Sequence, residues 1–294
     1  MKPLVVFDTS CVMHKTIDLT RNKQGQIVTK LTNGDRDARI KAGIALYNTL
    51  FWFKGANPAN YDVIWVGDDK TEPYWRRLAV SNWLAGLDPM DKIFTKRKGA
   101  RLGYKGSRAS CPYQTWVSRQ MNRYSACLTV PGYEADDIIA GIVKTVLDRD
   151  IIIMTVDSDL IQLVDERVSW CCLTGFNPSF RDVEGSQKWF ANKLSKESKK
   201  TQAAIDPTNL RDIVKWKSLV GDISDNLPAG TPEYIIDLFN PPEGHRLWEE
   251  DYFAPTIAKY IDPAVDNLDL WEQWAFTYGL PTTADILLPV RLLY

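Results

Sequence analysis

The sequence predicts an α/β protein: a twisted, mainly parallel sheet flanked by helices, with a smaller helical lobe at the C-terminal end. Three observations predict it. The short apolar runs PLVVFDTS, YDVIWVGDD and IIIMTVDSD have the length and branched composition of buried strands. Segments with apolar residues at helical spacing lie between them, at Ile40, Ile44, Tyr47, Leu50 and Phe51 and again at Ile138, Ile139, Ile142, Val143, Val146 and Leu147. Strand, helix and strand in this order give the right-handed crossover of a parallel sheet.

Taken in order, Asp8 closes the first strand, and residues 20–38 are polar, with Gly25, Asn33 and Gly34, as in a loop or hairpin. An amphipathic helix follows from Asp37 to Phe53 and stops at Asn57-Pro58. The second strand ends in Asp68 and Asp69. Pro112 opens a helix over PYQTWVSRQMNRYSACL, and a further helix runs through EADDIIAGIVKTVLDRD. The third strand ends in Asp157 and Asp159, a short LIQLV segment follows, and VSWCCLT reads as a fourth strand. Residues 177–208 are mostly polar and default to a loop or weak helix. LRDIVKWKSLV and PEYIIDLF are helical in pattern, and the last 45 residues read as a small helical lobe. We therefore place an α/β domain at 1–175 and a helical region at 176–294.

Composition bounds the function. With 45% hydrophobic and 25% charged residues, the chain is ordinary for a globular protein. It has no apolar run near the ~20 residues that cross a bilayer, and MKPLVVFDTS is a first strand, not a signal peptide. Five scattered cysteines without a C-x-x-C pair read as reduced thiols in a cytoplasmic protein. Two histidines, His14 and His245, argue against a zinc site of the usual kind and against a Ser-His-Asp set. No Gly-Lys-Ser phosphate loop is present.

What remains is acid. Glu134, Asp136 and Asp137 fall within four positions, and Asp157 and Asp159 follow a buried strand directly. Packed carboxylates repel unless something neutralises them. Oxygen-only ligands suit magnesium or manganese. For Glu134–Asp137 alone, a solvated acidic helix start is an equal reading. The joint pattern, with acids at three strand ends and one helix start, points to a ligand site, because open parallel sheets bind ligands at the carboxyl ends of their strands. Two divalent ions about 3.5–4 Å apart can activate water and stabilise the leaving oxygen of a phosphodiester.

Net charge is −1, but setting aside Asp8, Asp68, Glu134, Asp136, Asp137, Asp157, Asp159, Asp222 and Asp225 leaves +8. From Lys96 to Arg108 there are six bases (Lys96, Arg97, Lys98, Arg101, Lys105, Arg108) and no acid. This is either a solvated loop or, with Tyr104 interleaved, a phosphate-contacting and base-stacking segment.

The ordered motifs VVFDTS, VIWVGDD, PYWRR, YKGSR, GYEADD, TVDSDLIQLV and LVGDISDNLP resemble the 5′-nuclease (flap endonuclease) family, which includes bacteriophage 5′–3′ exonucleases and the nuclease domain of bacterial DNA polymerase I. The resemblance runs from Leu4 to about Phe239. It implies a PIN-like fold and hydrolysis of phosphodiesters at a DNA 5′ end or flap, with RNA of RNA–DNA hybrids as a further substrate. It implies two magnesium or manganese ions, the first held by Asp8, Asp68, Glu134 and Asp136, the second by Asp137, Asp157, Asp159, Asp222 and Asp225. Lys105 and Arg108 would face the scissile phosphate, Tyr104 the terminal base, and Arg76 and Arg77 other phosphates. The implied protein is a phage-type monomer acting in host cytoplasm. Two departures stand out. The stretch between Arg77 and Tyr104 is longer than in the family. DNLPAGTPEYIIDLF is a shortened, glycine-poor helix–hairpin–helix element, which counts against duplex grip and a potassium ion there. A PIN-like endoribonuclease and a non-catalytic nucleic-acid-binding accessory are the alternatives.

Overall fold

The computed structural model describes residues 1–10, 61–69, 74–86, 104–105, 127–172, 179–222 and 225–263. The expected helix from Asp37 to Phe53, the loop at 20–38, most of the helix expected after Pro112, the residues from 264 on, and Lys96, Arg97, Lys98, Arg101 and Arg108 lie outside them.

The sheet is built from β1 (Leu4–Asp8), β2 (Asp62–Val66), β3 (Cys127–Leu128), β4 (Ile151–Thr155), β5 (Val168–Cys172) and β6 (Ser179–Arg181), in the order β3-β2-β1-β4-β5-β6. All neighbours are parallel except the β5–β6 pair. A two-residue β7 (Asp262–Pro263) pairs antiparallel with the start of β2. In β1 all five residues are buried, as a central parallel strand covered on both faces requires. Alternate residues point one way: Leu4 and Val6, Ile64 and Val66, and Ile151 and Ile153 meet Ile138, Ile139 and Ile142 of α2 (Ala135–Thr145) in one core.

α1 (Trp75–Ala85) follows β2. At the end of α2 the guanidinium of Arg167 donates to the carbonyls of Val143 (3.0 Å) and Val146 (2.6 Å), satisfying acceptors the helix leaves open. After β6 come α3 (Val183–Leu194), α4 (Lys199–Ala204), α5 (Asp212–Val220), α6 (Glu233–Ile236) and α7 (Phe253–Tyr260). The stretch 177–208 is expected as loop or weak helix; its described part, from 179 on, forms one strand and two helices. Asp182 caps α3 through Gly185 N–H, and Phe190 and Leu194 anchor that helix in a second core with Trp170 and Ile161. Cys127 and Leu128, expected at the end of a helix, are strand. The region after 176 shares the sheet through β6 and both cores through Phe190, Ile213, Leu247 and Phe253.

Between α5 and α6 the chain makes a tight hairpin in which Asp222 and Leu227 exchange backbone hydrogen bonds at 2.8 Å. Gly221 has φ of +79°, and a Cβ there would lie 2.6 Å from the Leu227 carbonyl oxygen, so only glycine fits. No helix among the described residues is long and apolar enough to cross a membrane.

Candidate active site

β1, β2 and β4 are adjacent and parallel, with Asp8 in register with Val66 and Phe7 with Met154. Their carboxyl ends therefore bring Asp8, Asp68 and Asp157 to one edge. The start of α2 joins them there, because the backbone N–H of Ala135 donates to Oδ1 of Asp68 at 2.9 Å.

Neutral donors orient these acids. Asp8 accepts from the Ser10 N–H (3.0 Å) and from the Thr155 hydroxyl (3.0 Å). The Ser10 hydroxyl donates to Oδ2 of Asp68 at 3.3 Å. Thr155 also accepts from the Asp157 N–H at 3.0 Å, and Asp157 in turn accepts from the Asp159 N–H at 3.0 Å. Burial, then the charges of Asp157, Asp8 and Glu134, push the Asp136 carboxyl well above the carboxylate range.

Among the described residues, side-chain cations lie against five of the acids. Glu134 is buried and accepts from Lys105 Nζ at 2.5 Å and from the Tyr104 hydroxyl at 2.8 Å. Burial works against its charge, but Lys105 and Arg76 outweigh burial and hold its pKa below the ordinary value. Asp137 pairs with Arg76 at 2.6 Å through one oxygen and accepts from the Glu134 N–H at 3.3 Å through the other. Burial raises the Asp137 carboxyl in spite of that arginine. Asp225 lies 3.9 Å from Lys105 Nζ, and its carbonyl accepts from the Lys105 N–H at 2.9 Å. Asp159 and Asp222 share the ammonium of Lys217.

Two expectations change here. Arg76 is 4% exposed, its Nε donating to the Ile235 carbonyl at 2.7 Å, so it ties α1, α2 and α6 together inside the protein. The surface base of that pair is Arg77. Tyr104 is 8% exposed in the second core, with its hydroxyl on Glu134, so its ring offers no open face to a terminal base. Among the described residues no three of the acids form a group that could hold a metal ion as they stand. The donor chemistry, all carboxylate oxygen with mutual repulsion at Asp136, fits a hard divalent cation.

Sequence reasoning missed Lys217, Ser10 and Thr155. Thr155 carried a signal, being the one polar residue in IIIMT. Lys217 carried none, since its partners lie in other segments.

The sequence profile of the 5′-3′ exonuclease N-terminal, resolvase-like domain matches residues 76–190. That stretch includes Lys105 and the acids from Glu134 to Asp159. Residues 76–190, about two fifths of the chain, are thus similar to that exonuclease domain. DNA polymerase I of Deinococcus radiodurans is 31% identical over 153 residues, covering 49% of this chain and 14% of the relative. The thermostable DNA polymerase I of Thermus aquaticus is 28% identical over 208 residues, covering 64% and 22%. The chain thus spans less than a quarter of the length of these relatives. Among solved structures, bacteriophage T5 flap endonuclease with DNA and metal ions is 13% identical over 92% of each chain, with a TM-score of 0.45. The catalytic core of Rad2 with DNA is 14% identical over 98% of this chain and 92% of that one, with a TM-score of 0.44.

Proposed function

We propose that the chain is a metal-dependent 5′–3′ exonuclease or flap endonuclease that hydrolyses DNA phosphodiesters, and RNA of RNA–DNA hybrids, in phage-type replication or repair. The observation that carries this reading is the meeting of Asp8, Asp68, Asp136 and Asp157 at one sheet edge, where burial and mutual charge make Asp136 hard to ionise.

Asp8, Asp68, Glu134 and Asp136 would hold one magnesium or manganese ion, and Asp137, Asp157, Asp159, Asp222 and Asp225, directly or through water, a second. Such ions supply an activated water and stabilise the leaving oxygen. The chain's own groups do the rest. Ser10, Thr155 and the Ala135 N–H fix the carboxylates in place without neutralising them. Lys105, 15% exposed, supplies a positive charge for a phosphate that develops negative charge in the transition state. Its φ of +54° is a left-handed conformation that only surrounding contacts sustain, and such residues cluster at functional sites. Arg77 supports phosphate contact from the surface, and Arg108, Lys96, Arg97, Lys98 and Arg101 extend that role by sequence.

The test is cleavage of end-labelled flap, nicked, blunt and hybrid substrates with magnesium. Release of short products from the 5′ end supports the reading. Internal cutting of single-stranded RNA with DNA left intact contradicts it.

A further inference from the structure

Lys217 stands one turn before the end of α5 and is 6% exposed. Its ammonium lies 2.5 Å from Oδ2 of Asp222 and also contacts Oδ1 of Asp159. The two acids come from unrelated parts of the fold. Asp159 opens the 3₁₀ turn after β4, while Asp222 is aimed by the hairpin that Gly221 begins. Two poorly exposed carboxylates would repel each other, and the ammonium between them offsets that repulsion. The pair is therefore held together by a cation from a third segment.

We propose that Lys217 is the internal counter-ion of Asp159 and Asp222, holding the pair in place before a divalent cation arrives and competing with that cation for the same oxygens. It is a positioning residue, and the inference rests on the reading of these acids as metal ligands. A compact ammonium on a flexible stem suits the task, because it can withdraw along its own side chain, whereas a hydrophobic side chain could neither gather the acids nor compete.

The test is Mn2+ binding to the full chain without nucleic acid, followed by paramagnetic resonance of free Mn2+ and by calorimetry. The proteins compared are the wild type, Lys217→Met and Lys217→Arg. Lys217→Met tightens the weaker Mn2+ site by roughly tenfold or more, because the opposing charge is gone. Lys217→Arg binds Mn2+ like the wild type. In chelator Lys217→Met melts below the wild type, and saturating Mn2+ closes that gap, which loss of ordinary packing would not do. If Lys217→Met does not fold in chelator, Lys217→Gln is read in the same way. Wild-type Mn2+ binding with unchanged or weaker binding in the neutral variants overturns the role of Lys217 and leaves the metal reading standing. No Mn2+ uptake by any of the proteins overturns both.

Discussion

The ammonium of Lys105 lies 2.5 Å from Oε1 of Glu134, and the Tyr104 hydroxyl occupies the other oxygen at 2.8 Å. One short turn thus places a cation beside the acid that begins α2. The Lys105 N–H, bonded to the Asp225 carbonyl, anchors the same turn to the hairpin after α5. Lys105→Ala would remove the charge proposed to face the reacting phosphate and keep the rest of the surface. Single-turnover cleavage slows about 100-fold while DNA affinity changes little. A loss confined to affinity would return the segment to a solvated basic loop.

Asp157→Asn is expected to abolish cleavage and preserve substrate binding. The change removes one carboxylate charge from the strand-end cluster, whereas the proposed phosphate contacts come from bases elsewhere. Gel-shift and cleavage measured side by side on one flap substrate check this. Unchanged turnover would remove Asp157 from the site.

Arg76 is a structural cation by geometry. Arg76→Ala leaves Asp137 and Glu134 buried without their arginine, and breaking a buried pair from one side costs about 3–5 kcal/mol. Urea unfolding reads this directly. A stability within 1 kcal/mol of wild type, together with a fall in DNA affinity, would restore the phosphate-contact role; that threshold is roughly the worth of an exposed pair.

Gly221→Ala forces a Cβ to within 2.6 Å of the Leu227 carbonyl oxygen at a φ of +79°. The left-handed conformation alone costs roughly 1–2 kcal/mol for a residue with a Cβ. Thermal unfolding falls accordingly, and the displaced hairpin carries Asp222 and Asp225 with it, so cleavage falls too.

Cys127 gives a pH dependence. Burial pushes its thiol up to about 11 from an ordinary value of 9.0, the Thr9 contact pulling the other way. The folded chain keeps a proton that the unfolded chain loses between those values, so stability is full below pH 9 and declines as pH rises toward 11. The contribution is roughly 2–3 kcal/mol. Cys127→Ala flattens the alkaline limb of the stability profile. An identical limb in both proteins would assign it elsewhere.

The parallel sheet was legible because β1, β2 and β4 are unbroken apolar runs that need no partner to be recognised. Their terminal acids were legible for the same reason, since a strand end fixes where Asp8, Asp68 and Asp157 must emerge. The roles of Arg76 and Tyr104 were not. A basic or aromatic residue looks the same in sequence whether it faces solvent or is drawn inward by Glu134 and Asp137. The helices of 177–208 were hidden because α3 buries few residues, Phe190 and Leu194 among them, too sparse a stripe to register as periodicity. Lys217 was invisible because its meaning lies in two acids brought to it by tertiary structure.

The most direct measurement is cleavage of a 5′-end-labelled DNA flap in magnesium, repeated in chelator and again after magnesium is restored. Short 5′ products are expected with the metal, none in chelator, and full recovery on restoration. Equal cleavage in chelator would contradict it, whatever the sheet and its acids look like.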